Sequence, residues 1–212
     1  MKLLLTFCVA CALLYKAESL RCHVCTDDRC TNSTSVTCPA TSTVCRTVTS
    51  VRTTGLTATL TVNKNCSTLL SCLTPLSIET EWSVNRGFEK EGHTQICCVT
   101  DNCNRQTLAI PNLLTNGKQC PACSSLADSQ ARTCNATLSC VGVEDTCFNG
   151  TTTVNSTEAL QLGCMSNNLC SLQVFLETVF DGNPRITCGA PWSVRISATL
   201  LTFALIVHKV LV

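Results

Sequence analysis

Aromatic side chains make up only 4% of this chain, and methionine occurs twice. With an N-terminal leader and an apolar tail set aside, the aromatics are Trp82, Phe88, Phe148, Phe175 and Phe180; Trp192 joins them depending on where the tail is cut. A core that poor cannot offset chain entropy in small domains without covalent help. Charge of one sign is also missing. Leu20 to Gly189 hold 11 Lys/Arg and 13 Asp/Glu, scattered along the chain. Without a basic stripe, nucleic acid is not expected as a partner. No GxSxG, HExxH, phosphate loop or paired-carboxylate motif accompanies His23 and His93. An enzyme is therefore not expected, nor a cofactor. Glu79/Glu81 and Glu89/Glu91 read as solvated loop charges, and nothing between the two apolar ends has convincing helical periodicity.

Cysteine is what the chain has in plenty: 20 in 212 residues. Cys8 and Cys11 fall in the leader, which leaves an even 18. That density in a short chain reads as a disulfide scaffold made in an oxidising compartment. The CxxC pairs Cys22/Cys25 and Cys120/Cys123 also have zinc spacing, but such sites belong mainly to reducing compartments. Met1-Lys2 and the apolar run Leu3 to Leu14 have the form of a secretory signal, with cleavage expected before Leu20. As a helix that run would rise about 18 Å, too short to cross a bilayer.

The cysteine spacing repeats. Cys22, Cys25, Cys30, Cys38, Cys45, Cys66, Cys72, Cys97, Cys98 and Cys103 form one set. Cys120, Cys123, Cys134, Cys140, Cys147, Cys164, Cys170 and Cys188 form the other. Both open with CxxC, and the fourth-to-fifth and sixth-to-seventh intervals match, which marks two copies of one unit. The cysteine-free stretch around Pro111 and Asn116-Gly117 reads as a linker. Val44–Val51 and Leu56–Val62 are alternating β-formers around Arg52-Thr53-Thr54-Gly55, a predicted hairpin, with His93–Val99 as a third strand. Asp145–Val154 and Glu158–Gly163 predict a second, weaker hairpin. The expected fold class is a small disulfide-rich all-β protein.

Two strings carry a resemblance. Leu20-Arg21-Cys22-His23-Val24-Cys25 matches an LxCxxC opening, and Cys97 to Asn104 (CCVTDNCN) matches a CCxxDxCN close. In these the chain resembles the lymphocyte antigen-6/urokinase receptor family, whose repeat is the three-finger or LU domain. The resemblance implies two tandem three-finger (LU) domains: a signal peptide over 1–19, domains over 20–104 and 118–188, a linker over 105–117 and a tail over 189–212. It implies the bridges Cys22–Cys45, Cys25–Cys30, Cys38–Cys66, Cys72–Cys97 and Cys98–Cys103, with fingers near 26–37, 46–65 and 73–96. In the second unit it implies Cys120–Cys147, Cys123–Cys134, Cys140–Cys164 and Cys170–Cys188. There Gly189 stands where the paired cysteine should be and no CN follows, so the last bridge is absent.

Ile196–Val207 is apolar, short for a spanning helix, and suits exchange for a glycosylphosphatidylinositol (GPI) anchor at Gly189, although Pro191 counts against that residue. A short transmembrane anchor and plain secretion are the alternatives. N-x-Ser/Thr triplets place glycosylation at Asn32, Asn65, Asn135, Asn149 and Asn155, with Cys66 inside the triplet of Asn65. Glycans at Asn149 and Asn155 would cover the second middle finger and direct binding to the first unit, residues 20–112. Arg52, Trp82, Arg86 and Phe88 are the candidate contacts for an extracellular or cell-surface protein ligand. Trp82 and Phe88 could instead be core. The expected protein is a glycosylated, GPI-anchored receptor or co-receptor on the outer face of the plasma membrane, reached by the secretory pathway. A soluble inhibitor like the two-domain phospholipase A2 inhibitors, or a modulator of ligand-gated ion channels, is the rival function; the apolar tail speaks against the inhibitor.

Overall fold

A computed structural model describes residues 19–72, 75–154, 157–180 and 182–189. The signal segment up to 18, the tail beyond Gly189 and the triplet at Asn155 lie outside the described residues.

Threonine and valine dominate the longest strands, β3 (Val44–Thr54) and β4 (Thr57–Ser67), as expected of side chains that fit a pleated surface. They pair from Val44↔Ser67 to Thr54↔Thr57 without a register break. The strands therefore run past Arg52, and the turn is Gly55-Leu56, where Gly55 takes φ 60°. A two-stranded ribbon, β1 (Arg21–Cys25) with β2 (Ser33–Thr37), precedes the hairpin. β5 (Thr80–Asn85) and β6 (Glu89–Cys98) follow it, and β6 pairs with β3.

The second cysteine set repeats this plan with β7 (Thr115–Ala122) on β8 (Ala136–Val141), then the hairpin β9 (Thr146–Val154) and β10 (Thr157–Met165). β11 (Arg185–Gly189) returns beside β9 and contains Gly189. Three short helices accompany the strands: α1 (Leu126–Ala131), α2 (Asn167–Cys170) and α3 (Gln173–Val179). At seven residues or fewer, none can display a 3.6-residue period. A cap does mark α1: Ser125 Oγ accepts from the Asp128 amide at 3.1 Å.

Among the described residues, nine disulfides join Cys22–Cys45, Cys25–Cys30, Cys38–Cys66, Cys72–Cys97, Cys98–Cys103, Cys120–Cys147, Cys123–Cys134, Cys140–Cys164 and Cys170–Cys188. Two buried sulfur clusters result, one around Cys22 and Cys45, the other around Cys120 and Cys140. Around the first, the closing string supplies polar clamps. The Asn104 amide donates to the His23 and Arg46 carbonyls (2.9 and 3.2 Å) and accepts from the His23 amide, tying β1 to β3. Asp101 accepts from the Arg21 amide at 2.8 Å.

One seven-stranded sheet runs through the molecule in the order β11-β9-β10-β5-β6-β3-β4. The two halves meet where β10 pairs with β5 through Cys164↔Asn85 and Met165↔Val84. Each strand thereby hides an edge that would otherwise be open. Over the seam lies the main apolar core: Trp82 and Val84 from one half, Phe148, Met165, Leu169, Leu176 and Phe180 from the other. The scarce aromatics are concentrated at this junction. The stretch expected as a linker is laid along the first half: Thr47 and Thr49 hydroxyls donate to the Asn104 and Leu108 carbonyls (3.2 Å each), and Leu108 is buried. Pro111 sits against Gly92, Glu81 accepts from the Asn112 amide at 2.8 Å, and β7 begins at Thr115.

Candidate partner-binding cleft

Beside the seam opens a cleft of about 800 Å³ with walls from both halves. The tip of β3 brings Arg52, the β5–β6 turn brings Phe88, and the start of β6 brings Glu89 and Lys90; Leu126 and Leu138 line the cleft from the second half. Its polar lining includes the buried Asn85, Thr152 and Gln161. The Gln161 amide donates to Thr152 Oγ1 at 3.1 Å.

Two of the four expected contact residues are corrected here. Trp82 is 7% exposed and stacks on His93, with ring centroids 3.8 Å apart and planes at 16°. It cannot touch a partner, because the second half covers it. Arg86 is 12% exposed in its side chain. It pairs with Glu89 at 2.6 Å, donates to the Val179 carbonyl at 2.6 Å and lies 4.6 Å over the Phe180 ring. Those contacts make Arg86 a strut between the halves. Arg52 and Phe88 do line the cleft. The Arg52 side chain is 61% exposed and ion-paired with Glu89 and, at 3.3 Å, Glu91. Phe88 is half-buried.

Glu91 shows how the tip is held together. Burial pushes its carboxyl up, yet the His93 hydrogen bond and the charges of Arg52 and Arg86 outweigh this and hold it below the ordinary carboxylate value. Lys90 and the second-half lining escaped sequence reasoning. Lys90 carries no motif, and Leu126 and Leu138 gain their meaning only by facing the other half.

Glu144 also went unnoticed. It is fully buried beside the seam, where Oε2 accepts from the Val141 amide at 2.8 Å and from the Asn85 amide at 3.4 Å. Burial pushes its carboxyl up from 4.5 to about 7, against the lowering effects of those bonds, Lys90 and Ser83. The folded state therefore holds a proton that the unfolded chain has already lost between pH 4.5 and about 7. This contribution to stability is fully present below about 4.5 and is lost as pH rises to about 7. Its full size is about 3 kcal/mol. Glu144→Gln is expected to stabilise the protein relative to wild type at pH 8 more than at pH 5, in denaturant melts at both values. A gap independent of pH would show that Glu144 is not the titrating group.

Of the glycosylation triplets, Asn32, Asn135 and Asn149 are exposed. Asn65 is half-buried, with its amide oxygen buried and its neighbour Cys66 bridged to Cys38. Two triplets of sulfurs come within metal-ligand distance of one another, Cys22/Cys38/Cys66 and Cys120/Cys140/Cys164. All six belong to disulfides, so no thiolate is present to hold zinc. Among the described residues, no helix is long and apolar enough to cross a membrane.

No family model matches the chain. Among curated proteins, Lymphocyte antigen 6D of Bos taurus is 40% identical over 105 residues, which are 49% of this chain and 73% of that protein. With that likeness set beside the disulfide-rich β-sheet and the Cys22–Cys25 and Cys97–Asn104 strings, the chain belongs to the lymphocyte antigen-6/urokinase receptor family.

Proposed function

We propose that this is a two-domain, GPI-anchored surface glycoprotein that binds a protein ligand and catalyses nothing. Its domains are residues 20–104 and 118–188, each a three-finger unit, and the ligand enters the cleft between them. The observation that supports this most is the cleft itself: an open concavity whose exposed Arg52, half-buried Phe88 and Lys90 stand opposite Leu126 and Leu138. The basic side chains Arg52 and Lys90 both line the cleft, which suits a ligand carrying a carboxylate beside an apolar side chain. Aromatic and arginine anchors of this kind carry most of the energy in protein interfaces. Family membership and the apolar run Ile196–Val207 support anchoring through Gly189, and the exposed Asn32, Asn135 and Asn149 support glycosylation.

One experiment addresses both parts. Cells displaying the full chain are used to capture ligands from a library of extracellular proteins, with and without phosphatidylinositol-specific phospholipase C. The lipase is expected to release the protein with its ligand still bound. In Phe88→Ala and Lys90→Glu, capture is expected to fall by about tenfold or more at unchanged surface level. Lipase resistance would remove the anchor from the reading, and full capture by both variants would remove the cleft.

A further inference from the structure

The sheet is closed on neither side, and β4 forms one of its outer strands. On that edge the Val62 amide donates to the Asp28 carbonyl at 2.7 Å, away from β3. Backbone groups of alternate residues point to the same side of a strand, so Leu60 and Ala58 also turn their N–H and C=O groups outward. Among the described residues no strand lies beside them. Thr57, Ala58, Thr59 and Leu60 are all exposed, and Leu56 beyond them is fully so.

Proteins guard such an edge with lysine, proline or a bulge. Thr57-Ala58-Thr59-Leu60-Thr61 has neither residue, and its register with β3 is unbroken. We propose that this edge pairs with the same edge of a second copy of the chain, antiparallel about a two-fold axis at Thr59. In that register Ala58 faces Leu60 of the second copy, and the two outward-facing residues of each chain exchange both their backbone hydrogen bonds. The exposed Leu60 covers Ala58 of the other chain, an isologous contact in which every group finds its own counterpart. A second copy is the occupant that fits for two reasons. The open stretch ends where Asp28 occupies the Val62 donor, and a copy brings an edge of the same short length. It also carries no charge, so no like charges meet at the axis.

Thr59 then faces itself as a non-hydrogen-bonded pair, with Cα atoms about 4.5 Å apart, within reach of a disulfide. The test is cysteine cross-linking of the full chain in mammalian cells, read on non-reducing gels. Thr59→Cys is expected to give a reducible band of twice the mass. Thr57→Cys alone is not, because its counterpart is Thr61; co-expressing Thr57→Cys with Thr61→Cys should restore the band. Adding Leu60→Pro to Thr59→Cys removes an outward N–H and the leucine side chain while sparing the bonds to β3, and is expected to cut the cross-linked fraction about tenfold. If Thr59→Cys stays monomeric at wild-type expression, or Thr57→Cys alone cross-links as well, the pairing is wrong. Should a new thiol impair folding, differently tagged Thr59→Lys and Thr59→Glu chains replace it. Each alone is expected not to self-associate, and together they should co-precipitate. Failure of the mixed pair to co-precipitate overturns the proposal equally.

Discussion

Trp82→Ala is expected to remove most of the protein from the cell surface. The ring is 7% exposed, stacks on His93 and packs with Val84, Phe148, Met165, Leu169, Leu176 and Phe180. Truncating a buried aromatic costs about 3–5 kcal/mol, a large share of the 5–15 kcal/mol that holds a typical domain folded. Elsewhere the core consists mainly of sulfur clusters and short aliphatics, which offer no spare apolar area to absorb the loss. Surface staining of full-chain transfectants checks this, with Trp82→Phe expected to recover much of the signal. Wild-type display of Trp82→Ala with ligand capture lost would return the ring to the contact surface. The burial also alters what an isolated 20–112 fragment should do. Cut there, Trp82 and Val84 lose the second-half side chains that cover them, so the fragment should be prone to association and is a poor vehicle for binding studies.

An equally severe result is expected at Gly163, whose backbone passes directly against Asn85 where the halves pair. A Cβ there would overlap the Asn85 carbonyl oxygen, stand 2.9 Å from its carbon and press on the Phe148 ring at 3.1 Å. Both obstacles are fixed, one by the β5–β10 ladder and the other by the core. Gly163→Val must therefore separate the two strands, uncovering the aromatic cluster. The folded yield of Gly163→Val is expected to fall at least as far as that of Trp82→Ala. Gly55→Ala serves as the comparison: no atom lies within 4 Å of a Cβ at that tip. Its cost is confined to the strain of φ 60° for a residue with a side chain, about 1 kcal/mol. Equal yields for the two variants would mean that the seam does not form as described.

Much of the first half was legible locally. Alternating Thr and Val between Val44 and Val62 announce β3 and β4, because a period of two needs only neighbours along the chain. The last turn of that hairpin was misplaced, since Arg52 to Thr54 are as acceptable in a loop as in a strand. β5 was not legible. Thr80 to Asn85 carries a charge and a tryptophan in what looks like a loop; it becomes a strand by pairing along its length with β6, and β10 lies against its end at Val84 and Asn85. Short helices escaped for lack of turns, and the 105–117 stretch escaped because its contacts are made by backbone carbonyls, which leave no mark on residue type.

The sequence by itself determined the chemistry of the scaffold: a cysteine-held β-protein with too few aromatics for an ordinary core, and the family to which its end strings point. Composition and spacing suffice for that, since they record what every copy of such a unit needs locally. The tertiary structure alone decided where the scarce aromatics go, and so which candidates face a partner. Trp82, Arg86 and Glu144 take their roles from residues some 60 to 100 positions away. A contact across that separation has no period or motif of its own. It exists only once two edge strands, each incomplete alone, have closed on one another.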